Sequence, residues 1–249
     1  MAARTEIHFH LLPGVDDGPE TPEESIALAK LALADGTLAI VATPHVCDVD
    51  LDELDERVGE LRARLAQEGL PIELLAGGEA AATDVLDMGQ EQLEALAQGP
   101  PGARWLLLES PHDDSADAFS EAADELRARG FGVVIAHPER SAALDHGHGH
   151  VISRELALGS WLQVNGMSVL GRYGEPVRRS SLCLLAREQR AVLSSDAHNS
   201  DRPPCLSDAI RRARLDGVPS ERLRAAATVA PRFLLEAGVA ALTRSEWAR

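Results

Sequence analysis

The chain has 249 residues, 45% of them hydrophobic, enough for a sizeable core and too many for a disordered segment. Its 24 Lys and Arg against 40 Asp and Glu give a formal charge of −16, and its aromatic residues are only four Phe, three Trp and one Tyr, which together exclude the basic, ring-bearing surface that nucleic acid requires. The odd set Cys47, Cys183 and Cys205 contains no C-x-x-C pair, and neither an apolar leader nor a run of about 18 apolar residues occurs, so no membrane span and a reducing, cytoplasmic setting are expected.

Short apolar strands alternate with amphipathic helices. Glu6 to His10 reads as the first strand. Thr21-Pro22-Glu23-Glu24 supplies an N-cap, a proline at the first helical position and a capping-box glutamate, and Gly36 closes that helix. Leu38–Ala42 is a second strand ending at Thr43-Pro44-His45. Leu51, Leu54, Val58, Leu61 and Leu65 then recur at helical spacing as far as Gly69. Further strands are expected at Ile72–Leu75, Trp105–Leu108, Gly132–Ala136, Trp161–Val164 and Ala191–Ser195, the third running on to Gly77-Gly78-Glu79. Seven such units with no linker between them predict one α/β domain over residues 1–249, closed as a barrel of parallel strands.

The chemistry sits where those strands end, the face on which barrels build active sites. His8 and His10, two apart on one strand, share a face. His45, Glu79, Glu109, His137, Asp196 and His198 stand at other strand ends, with Asp16 and Asp17 in the loop after the first. Imidazoles and carboxylates without thiolates suit Mn, Fe or Zn, and so many donors imply a multinuclear site. Glu109 directly follows three leucines, where a carboxylate is costly unless paired or metal-bound. Lys30 is the chain's single lysine and lies mid-helix, so a Walker A loop is absent.

The segments Ile7-His8-Phe9-His10 through Asp16-Asp17-Gly18-Pro19, Ala42-Thr43-Pro44-His45, Ile135-Ala136-His137-Pro138-Glu139-Arg140, Gln163-Val164-Asn165-Gly166-Met167-Ser168 and Ser195-Asp196-Ala197-His198-Asn199 resemble the PHP (polymerase and histidinol phosphatase) superfamily. Among its branches they resemble the bacterial capsule and exopolysaccharide tyrosine-protein phosphatases. The likeness implies a distorted seven-stranded (β/α) barrel with three divalent metal ions, most often Mn. By motif, His8, His10, Glu79 and Asp196 would hold one ion, Glu79, Glu109 and His137 a second, and Asp17, His45 and His198 the third. Asp17 is taken over Asp16 on the motif alone. The likeness also sets Arg140, and less firmly Arg202, beside the substrate phosphate.

The implied reaction is hydrolysis of phosphate monoesters, protein phosphotyrosine first, by a metal-bridging hydroxide, with the two arginines gripping equatorial oxygens. The implied partner is a phosphotyrosine protein, a bacterial tyrosine kinase among the candidates. A homo-oligomer is compatible with the sequence, and the general acid stays open. Rival readings are a small-molecule PHP phosphoesterase (histidinol phosphate or a nucleotide), an amidohydrolase and a non-catalytic PHP module.

Several features read as bystanders. Cys205-Leu206-Ser207-Asp208-Ala209-Ile210-Arg211 matches C-x5-R in form but lacks the small residues of a phosphate cradle and reads as helix. His146, His148 and His150 read as a solvated rim loop, Cys47 as a buried or half-buried thiol, and the acidic stretch Asp48–Glu60 as a solvated helix face. His112 is a possible pocket-lining residue.

Overall fold

The computed structural model describes residues 3–112, 115–145 and 149–241. In chain order its elements are β1 (Arg4–Glu6), α1 (Pro22–Ala34), β2 (Thr37–Ala42), α2 (Leu54–Gln67), β3 (Glu73–Ala76), β4 (Glu79–Ala80), α3 (Ala82–Asp87), α4 (Gln90–Leu96), β5 (Trp105–Glu109), α5 (Ala116–Ala128), β6 (Gly132–Ala136), α6 (Ala142–Asp145), α7 (Gly149–Ala157), β7 (Trp161–Asn165), α8 (Gly166–Leu170), α9 (Glu175–Arg187), β8 (Ala191–Ser194), α10 (Leu206–Leu215), α11 (Ser220–Arg224) and α12 (Ala230–Glu236). No helix among the described residues is long and apolar enough to cross a membrane.

Among the described residues every strand pairing is parallel, but the strands number eight in two sheets, β1-β2-β3 and β4-β5-β6-β7-β8, rather than seven in one ladder. The extra strand comes from Gly77-Gly78, which splits the expected third strand. A Cβ at Gly77 would stand 2.6 Å from Val41 Cγ1 and one at Gly78 2.7 Å from Leu96 Cδ2, so the backbone packs closer there than any side chain permits. The first strand also differs from its expected span: its regular part is Arg4–Glu6, ahead of the two histidines. Two isolated parallel bridges, His45 with Glu79 and Phe9 with Ala197, join one sheet to the other.

Side chains alternate along each strand. Leu106, Leu108, Val133 and Ile135 pack outward against Phe119, Ala122 and Leu126 of α5. Ile7, Val41, Trp105, Leu107, Val134, Ala136 and Val192 form a second buried cluster drawn from both sheets, with Ala230 and Leu234 of α12 packed on it. The Trp105 indole donates to the Leu234 carbonyl at 2.9 Å. The polar residues of interest follow at the C-terminal ends of the strands. The first helix starts as its sequence implies: Thr21 Oγ1 accepts from the Glu24 amide at 3.3 Å and Pro22 opens the helix.

Candidate metal centre

The two bridges joining the sheets lie at the site. One pairs His45 with Glu79; the other pairs Phe9, between His8 and His10, with Ala197, between Asp196 and His198. The backbone stays bonded through these seams: the Asp196 amide donates to the His8 carbonyl at 3.2 Å, His10 to Ala197 at 2.9 Å and Glu79 to Pro44 at 2.9 Å. Where the regular ladder stops, the chain bends and side chains from both sheets converge. His137 (φ 35°) and Asp196 (φ 52°) are the non-glycine residues with left-handed backbone among those described, and both are candidate ligands, a strain that the surroundings must hold in place.

The nine residues taken from the sequence as ligands form one contiguous cluster, grouped differently from the motif-based sets. Donor atoms of His10, Asp17, His45 and His198 lie mutually within 4.8 Å, as do those of His8, His137 and Asp196, of His8, His10 and Glu79, and of His45, Glu79 and Glu109. His10 therefore reaches the rim group, His137 stands with His8 and Asp196, and Glu109 with His45. Glu79 is central: its carboxylate meets His137 Nε2 at 2.8 Å, His8 Nε2 at 3.2 Å, His45 Nδ1 at 3.3 Å and His10 Nε2 at 3.4 Å.

In the loop after the first strand the two aspartates face different groups. Asp16 is buried and receives the backs of other groups: His10 Nδ1 at 2.6 Å and the amides of His45 and Gly18, each at 3.0 Å. Asp17 turns to His198 Nε2 at 3.1 Å and His45 Nε2 at 3.6 Å. Asp16 thus orients a ligand, leaving His10 Nε2 pointed at the cluster. Gln163 does the same: its Oε1 meets His8 Nδ1 at 2.9 Å and accepts the His137 amide at 3.0 Å. Gln163 escaped the residue-type argument, because an amide beside a ligand has no spacing signature of its own, whereas Asp16 was named there beside Asp17 without an orienting role.

Electrostatics separate the donors. Burial alone would raise Glu79 and Asp196, but His8, His10 and His137 hold both carboxyls well below the usual range, Asp196 at about 2. Burial pushes the His137 and His198 imidazoles down, which favours the neutral, ligand-competent ring. Asp196 divides its labour between two oxygens. Oδ2 accepts from Asn165 Nδ2 at 2.7 Å and from Arg140 Nη1 and Arg202 Nη2, each at 3.2 Å. Oδ1 meets His8 Nε2 at 3.2 Å, and His137 Nδ1 is buried with no partner among the described residues. An orphaned buried ring nitrogen and closely crowded lone pairs, in a cluster rich in carboxylates and imidazoles, fit divalent cations. Arg202 also meets Asp17 Oδ2 at 2.9 Å, so both arginines lie against the cluster.

The remaining candidates fall outside it. Cys205 is buried at the start of α10, its thiol pushed up by burial and by Glu6 and Asp35, while Arg211 pairs with Asp208 in solvent; no thiol-phosphatase loop exists here. Cys47 is exposed rather than buried, because Val46 takes the inward position of the short 3-10 turn Val46–Asp48. His112 is largely exposed, 3.2 Å from Glu109, and its ring stacks on that of His137 with centroids 6.0 Å apart. His146 and His148 lie outside the described residues, and His150 is exposed in α7. A groove of about 600 Å³ opens beside Asp17, floored by Leu28 and Leu31; another of about 620 Å³, against Arg4 and Arg232, lies at the far end of the strands, away from the cluster.

Comparisons with known proteins place the chain in a family. The profile of the family described as capsular polysaccharide synthesis, CpsB/CapC, matches residues 4–216. A Staphylococcus aureus protein named CapC is 31% identical over 205 residues, covering 81% of this chain and 79% of its own. The tyrosine-protein phosphatase YwqE of Bacillus subtilis is 29% identical over 203 residues, covering 78% and 77%. One chain from crystal structures of YwqE from Bacillus subtilis and CpsB from Streptococcus pneumoniae, described as unique metal-dependent tyrosine phosphatases, superposes with a TM-score of 0.75 at 25% identity, over 93% of this chain and 94% of that one. The protein belongs to the CpsB/CapC family of capsular polysaccharide synthesis.

Proposed function

We propose that this protein is a metal-dependent protein-tyrosine phosphatase of capsule or exopolysaccharide synthesis, hydrolysing the phosphate monoester of phosphotyrosine on a protein such as a bacterial tyrosine kinase. The observation that carries the reading is the convergence of nine His, Asp and Glu side chains, with no thiolate, on the edge where Arg140 and Arg202 meet Asp196. Within this reading the chain forms a seven-stranded PHP barrel over residues 1–249, the third strand interrupted at Gly77-Gly78. Its free thiols favour the cytoplasm.

The ligands would be His8, His10, Asp17, His45, Glu79, Glu109, His137, Asp196 and His198, holding three divalent ions, manganese foremost. Such a cluster, when bound, neutralises phosphoryl charge and lowers the pKa of a water to about 7. The protein's own groups do the rest. Asp16 and Gln163 fix the tautomers of His10 and His8, so that Nε2 of each is free to donate a lone pair. Asp196 Oδ2 holds both guanidinium groups at the cluster's edge. There they can turn planar pairs of N–H donors toward the phosphoryl oxygens, which carry most charge in the transition state. No protein nucleophile is required, and Cys205 is too deep to be one.

The test is turnover of phosphotyrosine peptide, phosphoserine peptide and histidinol phosphate by metal-loaded protein, before and after chelation. The expected result is chelator-sensitive release of phosphate, fastest from the phosphotyrosine peptide. Preference for histidinol phosphate would replace the protein substrate with a small molecule, and full activity in chelator would end the metal reading.

A further inference from the structure

Tyr173 is the chain's single tyrosine, and its ring lies under the Arg140 guanidinium, with Cζ 4.5 Å from the ring centroid. A long arginine side chain held by one in-plane hydrogen bond can still rotate about that bond. Arg140 has such a bond, Nη1 to Asp196 Oδ2 at 3.2 Å. A face contact from an aromatic ring removes the remaining freedom by fixing the guanidinium plane, and it does so without consuming an N–H donor.

The ring is itself firmly placed. Tyr173 sits between Gly171 and Gly174, whose φ values of 86° and 94° make a tight turn after α8. The turn is closed by Arg172 N to Met167 O at 3.1 Å and Gly174 N to Gly171 O at 3.1 Å. At the other end of α8, Asn165 Oδ1 accepts the Met167 amide at 2.7 Å while Asn165 Nδ2 donates to Asp196 Oδ2 at 2.7 Å. One residue therefore ties together both restraints on Arg140, the carboxylate and the helix that carries the ring.

We infer that Tyr173 is a positioning residue: its ring sets the plane of the Arg140 guanidinium so that the arginine's free N–H pairs meet a phosphoryl group. The inference rests on the phosphatase reading for what Arg140 grips. It assigns the role to the aromatic face, not to the phenolic hydroxyl.

The experiment uses the full metal-loaded chain, with kcat and KM for p-nitrophenyl phosphate and the Kd of inorganic phosphate by calorimetry. Tyr173→Phe should stay within about twofold of the parent in all three. Tyr173→Leu should lose about 3- to 30-fold in kcat/KM, the span of a cation–π contact, and weaken phosphate by a similar factor, with metal content and Tm unchanged. In an Arg140→Lys background Tyr173→Leu should add almost nothing. If Tyr173→Leu proves unstable, Tyr173→Gln, which keeps bulk without a ring, takes its place with the same expectation. A Tyr173→Leu variant equal to the parent overturns the inference, as does one equally damaging beside Arg140→Lys. Loss on the aryl substrate with unchanged phosphate affinity would place the ring against the substrate and also overturn it. Should the parent hydrolyse no phosphate ester while phosphate binding still responds to Tyr173→Leu, the phosphatase reading falls and the positioning role stands.

Discussion

Two buried charged clusters in this molecule are built on opposite principles. Under α5 and α7, Arg127 and Glu155 are almost fully buried, and Ser160 Oγ bridges them, accepting from Arg127 at 2.7 Å and donating to Glu155 at 2.8 Å. Arg127 and Glu155 also pair directly, and Arg154 reaches the other Glu155 oxygen. None of the buried polar side-chain atoms of Arg127, Glu155 or Ser160 is left without a hydrogen bond. At the strand ends, by contrast, His137 Nδ1 is buried with no partner, and the buried Asp196 Oδ1 and His198 Nε2 meet only other groups of the cluster, His8 Nε2 at 3.2 Å and Asp17 Oδ1 at 3.1 Å, beside two residues in left-handed backbone. The fold satisfies buried charge with opposite charge and a hydroxyl when charge is structural. At the strand ends imidazoles and carboxylates crowd against one another instead, which marks a place arranged for something other than stability.

The comparison can be broken, first at Glu79. Glu79→Ala removes the carboxylate that four imidazoles face, and kcat should fall by about 10³-fold or more, with bound metal reduced in elemental analysis. Near-normal turnover with full metal content would mean that the cluster does not work as a unit.

Arg127→Met is the matching cut in the satisfied cluster. It removes the buried ion-pair partner of Glu155, leaving it Arg154 and Ser160, and should cost up to about 3–5 kcal/mol in denaturant unfolding, while metal per folded molecule and KM stay as they were. Pairing it with Glu155→Leu should recover much of that loss, since an apolar pair replaces an ion pair at little net cost. Lost metal affinity in Arg127→Met would show that the two clusters are coupled after all.

Arg140→Lys sharpens the contrast within the site. Charge is kept but the planar pair of donors is lost, so kcat/KM should drop about 10- to 10³-fold with metal content unchanged. Metal lost in step with activity would instead make Arg140 a support for the ligands around Asp196. The smallest expected effect belongs to Cys205→Ser: a buried hydroxyl-for-thiol exchange at the start of α10, behind Gly166 and outside the donor cluster, should leave turnover within about twofold. Abolished activity there would revive a thiol mechanism.

Much of this architecture could be read from the chain alone. The period of apolar residues placed the strands to within a residue or two at Gly132–Ala136, Trp161–Asn165 and Ala191–Ser194, because a buried parallel strand must be apolar along its length. The first strand misled: Ile7 to His10 alternates like a strand, but Ile7 takes the Ser194 hydroxyl and Phe9 the Thr43 hydroxyl for their amides, so side chains replace part of the ladder there. The break at Gly77-Gly78 was likewise invisible, since two glycines read as a turn until Val41 and Leu96 are seen against them.

For the site, sequence singled out the histidines and carboxylates that the structure brings together. Such residues at the ends of apolar strands have few other reasons to be there, although the choice of Asp17 over Asp16 rested on the motif and not on residue type. Sequence could not determine who faces whom. That His10 joins His198, that Asp16 also holds the His45 amide, and that Tyr173 lies against Arg140 depend on contacts between segments tens to hundreds of residues apart. Such contacts are set by how the two sheets meet at the His45–Glu79 and Phe9–Ala197 bridges, a packing outcome that no local pattern encodes.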